Sequence, residues 1–490
     1  MAKRSLKVNF LLNSAYQVLL VITPLVTAPY LSRVLGASQT GVFSYTQSIA
    51  NYFVMFATLG MTTYGVRVIA LCGEDRRERS KAFWSAFASQ LCVASVVALA
   101  YFAYALIVHA GDFLCSLVWG LWVLSAVGDV TWLLFGCEEF KIPTVRSFAT
   151  KLASLFVIFG FVHEPGDVWL YVLAVAGAYL VNVLLVWPFV RRYVDFYRPT
   201  WREVSGHFGP NVGLFIPVIA VSLYTSLDKI MLGSMSTMTE SGYFQYSEQV
   251  SRMPLHVITA LGTVMMPRMV SLLTEGRKEQ ALSVLGTSMW LMLVCAFAFA
   301  FGILAVAPVF VPVFLGNGYA PCELLMVVMC GIIPVICVTN VIGKQYLLPM
   351  QRDREYTTSL IAGAVVNVVL NLVLIPQLAS LGTAIATVAA EVTILVVQAS
   401  MVRRELPLLA YAGKAVPFLV IGALMALVVR GVSPRIDAVW GLSAKSLVIE
   451  VFIGAAVYAA LAIGYCLISR NEEFGKLFGR YLKRDEKDVC

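Results

Sequence analysis

The chain has 490 residues, 59% of them hydrophobic and 13% charged, with a mean hydropathy of +0.82 and a formal net charge of +8. That balance excludes an ordinary soluble globular protein. Apolarity gathers in helix-length runs without strand alternation, which excludes an outer-membrane barrel and predicts an all-α polytopic membrane protein.

In chain order the pattern predicts about fourteen transmembrane helices, near 8–34, 41–69, 82–108, 113–137, 144–162, 168–190, 209–233, 241–269, 281–314, 321–348, 356–376, 380–402, 412–430 and 446–468. After Met1-Ala2-Lys3-Arg4 the apolar run outlasts the core of a signal peptide, so the first span is expected to be uncleaved. The even-numbered gaps carry Arg76, Arg77, Arg79 and Lys81, then Lys141, then Arg191, Arg192, Arg198 and Arg202, then Arg277 and Lys278, Arg352 and Arg354, and Arg403 and Arg404. The first six odd-numbered gaps carry no Lys or Arg; Arg435, in the last, is a mild exception. Both termini are therefore expected in the cytoplasm, and the excess of positive charge reflects membrane orientation rather than nucleic-acid binding. Pro199 to His207, between the sixth and seventh spans, reads as an amphipathic piece at the cytoplasmic interface.

The stretch Ser222 to Gln249 sets charged residues within an apolar run. Ser222, Ser226 and Lys229 share one helix face, and Gln245, Gln249, Arg252 and His256 share another, as polar stripes suited to lining a cavity. A shift of 201 residues lays Gly41, Phe43 and Tyr45 on Gly242, Phe244 and Tyr246, Arg67 on Arg268, and Gln47 and Asn51 on Glu248 and Arg252. The repeat predicts two similar lobes, 1–195 and 209–404, joined by an interfacial connector at 196–208. Two additional transmembrane helices follow in 405–470, then a charged cytoplasmic tail at 471–490.

No nucleotide-binding P-loop and no HExxH motif occur, and the external loops are short, so the chain is expected not to be an enzyme and to need no metal or cofactor. The ten cysteines lack metal-ligand spacing and read as small apolar fillers. Ionisable residues within spans are Arg33, Arg67, Asp129, Lys151, Asp228, Lys229, Glu248, Arg252, Lys344, Glu391 and Glu450. Arg33, Arg67 and Lys344 lie near span ends, where snorkelling accounts for them, and Asp129 suits a helix-packing hydrogen bond. Arg252 is about eleven residues into its span, with Glu248 one turn before it as an ion-pair partner. The expected substrate-binding set is Arg252, Lys229, Lys151, Arg33, Arg67, Gln245, Gln249, His256, Asn51 and Gln47, with Asp228 and Glu248 as ion-coupling candidates. The coupling ion, H+ or Na+, is left open.

NFLLNSAYQVLLVITPLVTAPYLSRVLG (Asn9 to Gly36), Gly41 to Tyr45, Ser222 to Gly233 with Gly242-Tyr243, and Val366 to Gly382 with Asn367, Asn371 and Ile375-Pro376 carry a further signal. Over nearly its whole length the chain resembles polysaccharide repeat-unit flippases of the multidrug/oligosaccharidyl-lipid/polysaccharide exporter superfamily. Asp129 to Glu138 departs from that pattern, with Phe135 where the family carries glutamine. The resemblance implies two six-helix lobes around a central cavity, two C-terminal helices and alternating access. It also implies transport of a polyprenyl-pyrophosphate-linked oligosaccharide across the bacterial plasma membrane for surface polysaccharide biosynthesis. Implied partners are the lipid-linked oligosaccharide, membrane lipids, and a polysaccharide polymerase with glycosyltransferases. A peptidoglycan lipid-precursor flippase, a drug or cation exporter of the same superfamily, and a non-transporting membrane scaffold remain as alternatives.

Cysteines placed at Ser38, Thr237 or Asn317 are expected to react with an impermeant thiol reagent added from outside, once native cysteines are controlled for. Labelling from the cytoplasmic side alone would overturn the orientation.

Overall fold

The computed structural model describes residues 6–108 and 112–475, which are helical throughout their regular structure with no strand among them. Ten helical runs among the described residues are long and apolar enough to cross a membrane, fewer than the fourteen spans expected. Two of the ten, Ile22–Leu71 and Asp353–Val402, are 50 residues long. Unbroken, each would extend about 75 Å against a hydrocarbon core of about 30 Å. Each is interrupted: Gly36 sits at φ 72°, ψ 174° and Ala379 at φ 47°, ψ −126°, in the gaps expected between the first and second and the eleventh and twelfth spans. The ten runs thus take in twelve expected spans. The other two, 209–233 and 241–269, fall on the charged helices between residues 208 and 274.

The chain divides into two compact units. The first comprises Met1–Gln245 with Asn371–Ser380. It holds α1 (Leu6–Thr58), α2 (Met61–Leu71), α3 (Arg76–Val108), α4 (Phe113–Gly128), α5 (Thr131–Gly136), α6 (Lys141–Phe161), α7 (Val168–Leu184), α8 (Trp187–Tyr193), α9 (Trp201–Ser205), α10 (Phe208–Thr225), α11 (Leu227–Met235) and the start of α12 (Met238–Thr274). Its core is aromatic. Phe43 stacks on Tyr171 at 4.0 Å, and the fully buried Trp119 donates its indole N–H to Thr46 Oγ1 at 3.1 Å, so the polar edge of the ring is not stranded. The break between α4 and α5 is met by Gln90, whose Nε2 donates to Ala126 O and Asp129 O, both at 2.9 Å. Asp129 accepts from the Thr131 backbone N–H at 2.9 Å, a role in local structure rather than in a cavity.

The repeat is written into one helix crossing in this unit. A Cβ added at Gly41 would lie 1.6 Å from Met238 O, and one added at Gly242 would lie 2.0 Å from Ala37 O. Met238 and Ala37 each precede the other glycine by one turn, so each repeat's glycine rests on the other's backbone in a near-symmetric way. Ser44 and Gln245, also equivalent under the 201-residue shift, close the crossing with a 2.9 Å hydrogen bond from the Ser44 hydroxyl to Gln245 Oε1.

The second unit comprises Tyr246–Leu370 with Leu381–Cys490. It holds the rest of α12, then α13 (Lys278–Phe310), α14 (Pro321–Met329), α15 (Ile332–Asn340), both parts of α16 (Asp353–Val402) outside residues 371–380, α17 (Leu408–Trp440) and α18 (Ala444–Ile468). α17 packs on α13 through Phe418 against Trp290 and through Gly422, where a Cβ would meet Phe301 at 2.5 Å. Tyr458 of α18 donates to Val294 O at 2.7 Å. The start of the expected tail is not simply solvated. Glu473 is buried and accepts from Thr287 Oγ1 at 2.6 Å and Lys414 Nζ at 3.0 Å, tying that segment to α13 and α17. Residues 476–490 of the tail lie outside the described residues.

Gly41→Ala and Gly242→Ala should each lower stability by about 1–3 kcal/mol, because backbone rather than a flexible side chain occupies the space. Gly302→Ala, where nothing lies within 4 Å of an added Cβ, is the control expected to unfold at the wild-type temperature or above. Thermal unfolding in detergent measures all three.

Candidate functional site

In the first unit the polar stripe of α10 and α11 comes to rest on α1. α10 ends at Thr225, and α11 begins at Leu227 after Ser226, whose φ of −118° departs from the helical value while its N–H still donates to Ser222 O. Tyr52 of α1 donates to Ser222 O at 2.9 Å, and Asn51 Nδ2 donates to Ser226 Oγ at 3.2 Å. Asp228, in the first turn of α11 where the helix dipole favours an anion, is 1% exposed and accepts from Asn371 Nδ2 at 2.6 Å. Lys229 and Gln47 are half-buried.

The second unit holds the charged counterpart. Glu248 and Arg252 lie one turn apart on α12 and pair at 2.9 Å from Nε to Oε1. Glu391, from the part of α16 after Ala379, approaches the same guanidinium at 4.0 Å from its Oε1 to Nη2. The carboxylate side chains are 7% and 5% exposed and the arginine side chain 24%. Removing three charges from water is costly, and the arrangement persists because each carboxylate faces the one guanidinium. Around Glu391 the helix surface stays polar: Gln398 Nε2 donates to Ser359 Oγ at 3.0 Å, and both residues are fully buried. Gly343 leaves the room that Tyr356 and Gln398 occupy.

The remaining candidates are more dispersed. Gln245 belongs to the helix crossing through Ser44. Gln249 is half-buried and His256 exposed on α12, Arg67 is exposed on α2, and Lys151 is half-buried on α6. Arg33 is exposed and donates to Pro29 O of its own helix at 2.8 Å. Sequence reasoning noted Glu391 as an intramembrane acid without giving it a role, and it passed over Tyr52 and Arg146. Arg146 is buried on α6 and donates to Thr131 Oγ1 at 3.0 Å. Its place in an apolar run was the available signal. Among the described residues no group of three or more His, Cys, Asp or Glu side chains could hold a metal ion.

The fold defines the class first: a multi-span helical membrane protein with a transporter fold. Over 95% of this chain and all of the other it resembles lipid II flippase MurJ in an inward closed conformation, with a TM-score of 0.76 at 11% identity. Over 80% of this chain and 98% of the other it resembles an inward-facing multidrug resistance MATE family transporter of the MOP superfamily, with a TM-score of 0.57 at 13% identity. In sequence it is 24% identical over 394 residues to "Putative O-antigen transporter" of Escherichia coli (strain K12), covering 79% of this chain and 94% of that protein. The family model described as polysaccharide biosynthesis protein matches residues 6–273, and the chain belongs to that family.

Arg252→Ala should destabilise the protein by about 3 kcal/mol, the low end for a broken buried pair because the guanidinium keeps some water. Glu248→Gln with Arg252→Gln should cost less than the single change, since it removes both charges of the closest pair. Thermal unfolding of the three proteins checks the order.

Proposed function

We propose that this chain is a flippase that carries a polyprenyl-pyrophosphate-linked oligosaccharide repeat unit across a bacterial plasma membrane for surface polysaccharide synthesis. The two lobes expected at 1–195 and 209–404 would alternate access to the two leaflets, with both termini in the cytoplasm. The observation that carries the reading is the guanidinium of Arg252, deep in α12 of a chain from a polysaccharide biosynthesis family. A pyrophosphate is a compact anion, and arginine can present two N–H groups to it in one plane. Lys229, Lys151, Arg33 and Arg67 would assist, while Gln47, Asn51, Gln245, Gln249 and His256 would offer hydrogen bonds to sugar hydroxyls. The likeness to an O-antigen transporter supports the substrate class, and the fold shared with a lipid II flippase supports movement of a lipid-linked head group.

Glu248 and Glu391 both face Arg252, and both would compete with a pyrophosphate for it. A coupling cation, H+ or Na+, that neutralised a carboxylate would release the guanidinium to the substrate. Asp228, buried against Asn371 in the first unit, is the second candidate for such coupling. In this reading the chain catalyses no covalent change. A polymerase and glycosyltransferases would supply and consume its cargo.

The test is movement of a fluorescent polyprenyl-pyrophosphate oligosaccharide in vesicles containing the purified full chain, read by an impermeant quencher. Folded Arg252→Ala should flip at least about tenfold more slowly, equivalent to 1.4 kcal/mol, and Arg252→Lys should recover only part of the rate. Undiminished flipping by folded Arg252→Ala sinks the assignment, as does full transport by the Glu248→Gln, Arg252→Gln double variant. If Asp228→Asn and Glu248→Gln both leave gradient-stimulated flipping unchanged, neither residue couples.

A further inference from the structure

The segment joining α8 to α10 makes an unusual use of its charges. It contains two acids, Asp195 and Glu203, and both are engaged by cations from the first two turns of α3. Arg76 grips Asp195 through Nε and Nη2 at 2.8 and 2.7 Å, and the same guanidinium reaches Arg191 O and Arg192 O. Lys81 Nζ holds Glu203 at 2.8 Å, while Tyr197 OH and the Thr200 backbone N–H donate to the same carboxylate. The bond from Lys81 depresses Glu203 to about 2, so the carboxylate stays charged and engaged through the physiological range. Backbone bonds complete the attachment: Asp195 N–H donates to Ser80 Oγ and Trp84 Nε1 to Asp195 O, each at 2.9 Å.

The consequence is a sorted surface. Both acids are held in ion pairs with α3, Asp195 with 68% of its side chain still exposed and Glu203 with 22%, while Arg191, Arg192, Arg198 and Arg202 are all exposed and without an acidic partner among the described residues. Between them stand Phe196, 80% exposed, and Trp201, 67% exposed. Two large aromatics held outward beside four guanidiniums match the boundary between headgroups and acyl chains, where aromatic rings settle and positive charge meets lipid phosphate. The short helix α9 is fixed in place by Thr200 and Glu203 in a reciprocal cap, so this face is preformed.

We propose that residues 191–202 form a docking surface for anionic phospholipid headgroups, holding the connector to one leaflet of the membrane. The partner is lipid of a stated charge, distinct from any transported substrate, and the inference needs no particular cargo.

Hydrogen exchange of the full chain in nanodiscs tests it. In phosphatidylcholine with 30 mol% phosphatidylglycerol, amides within 196–203 should exchange at least about fivefold more slowly than in phosphatidylcholine alone, from the pull of several arginines on a charged surface. Salt at 0.5 M should erase the difference. The R191Q/R192Q/R198Q/R202Q variant should erase it at low salt, with exchange elsewhere in the chain unchanged. Equal exchange in the two lipid mixtures overturns the proposal, as does a difference that persists in the variant or in high salt. The same protection produced by inorganic phosphate in phosphatidylcholine alone also overturns it, because the site would then take free anions. The salt arm uses the wild-type chain and decides the matter even if the variant fails to fold.

Discussion

Wherever a helix is interrupted inside a bilayer, its freed backbone groups have no water to turn to, and this constraint organises the chain. The break between α4 and α5 exposes the Ala126 and Asp129 carbonyls, and Gln90 caps both. At the junction of α10 and α11 the Ser222 carbonyl keeps its bond from the Ser226 N–H at 3.0 Å and takes a second from Tyr52, while the Ser226 hydroxyl accepts from Asn51. After Ala379 the second part of α16 restarts with its Ser380 N–H and hydroxyl both donating to Glu240. Polar residues that look like cavity lining in a sequence are therefore partly committed to backbone. What they offer a substrate is only the bonding capacity left over.

This division explains which features could be read in advance. The apolar runs, the helical class and the repeat follow from periodicity, and Gly41 and Gly242 carried enough local signal to be paired before any geometry was known. Their contact has a simple cause: two backbones can approach that closely only where both helices lack a Cβ. The pair Glu248 and Arg252 was legible because its spacing is local. Glu391 was legible as an anomaly but not as a partner, since nothing in a sequence places it beside a guanidinium 139 positions away. Tyr52 gave no signal, because an interfacial or core tyrosine looks the same in one dimension. The division of the fourth span into α4 and α5 at Asp129-Val130, and of the seventh into α10 and α11 at Ser226, falls on polar residues that read equally well as stripes along an unbroken helix.

The buried charges differ in kind from the neutral contacts. One guanidinium faces two carboxylates here, so a proton or cation taken up by either acid would loosen its hold on the arginine. A hydrophobic replacement of similar volume would often stabilise a protein as well as such a group does. Stability alone is therefore a weak reason for the charges to be there.

The 201-residue repeat makes that contrast internal to one molecule. Gln47 and Asn51 occupy in the first copy the positions that Glu248 and Arg252 occupy in the second. Asn51 makes a neutral hydrogen bond at 3.2 Å to Ser226, whose net worth of about 1 kcal/mol allows it to be made and broken with little cost. Arg252 cannot leave Glu248 so cheaply, because parting them strands two charges in low dielectric. Separation becomes accessible only if another anion takes the guanidinium or another cation takes the carboxylate. One copy of the helix thus supplies a contact that is cheap to break, and the other a charge pair that is costly to part without a replacement partner.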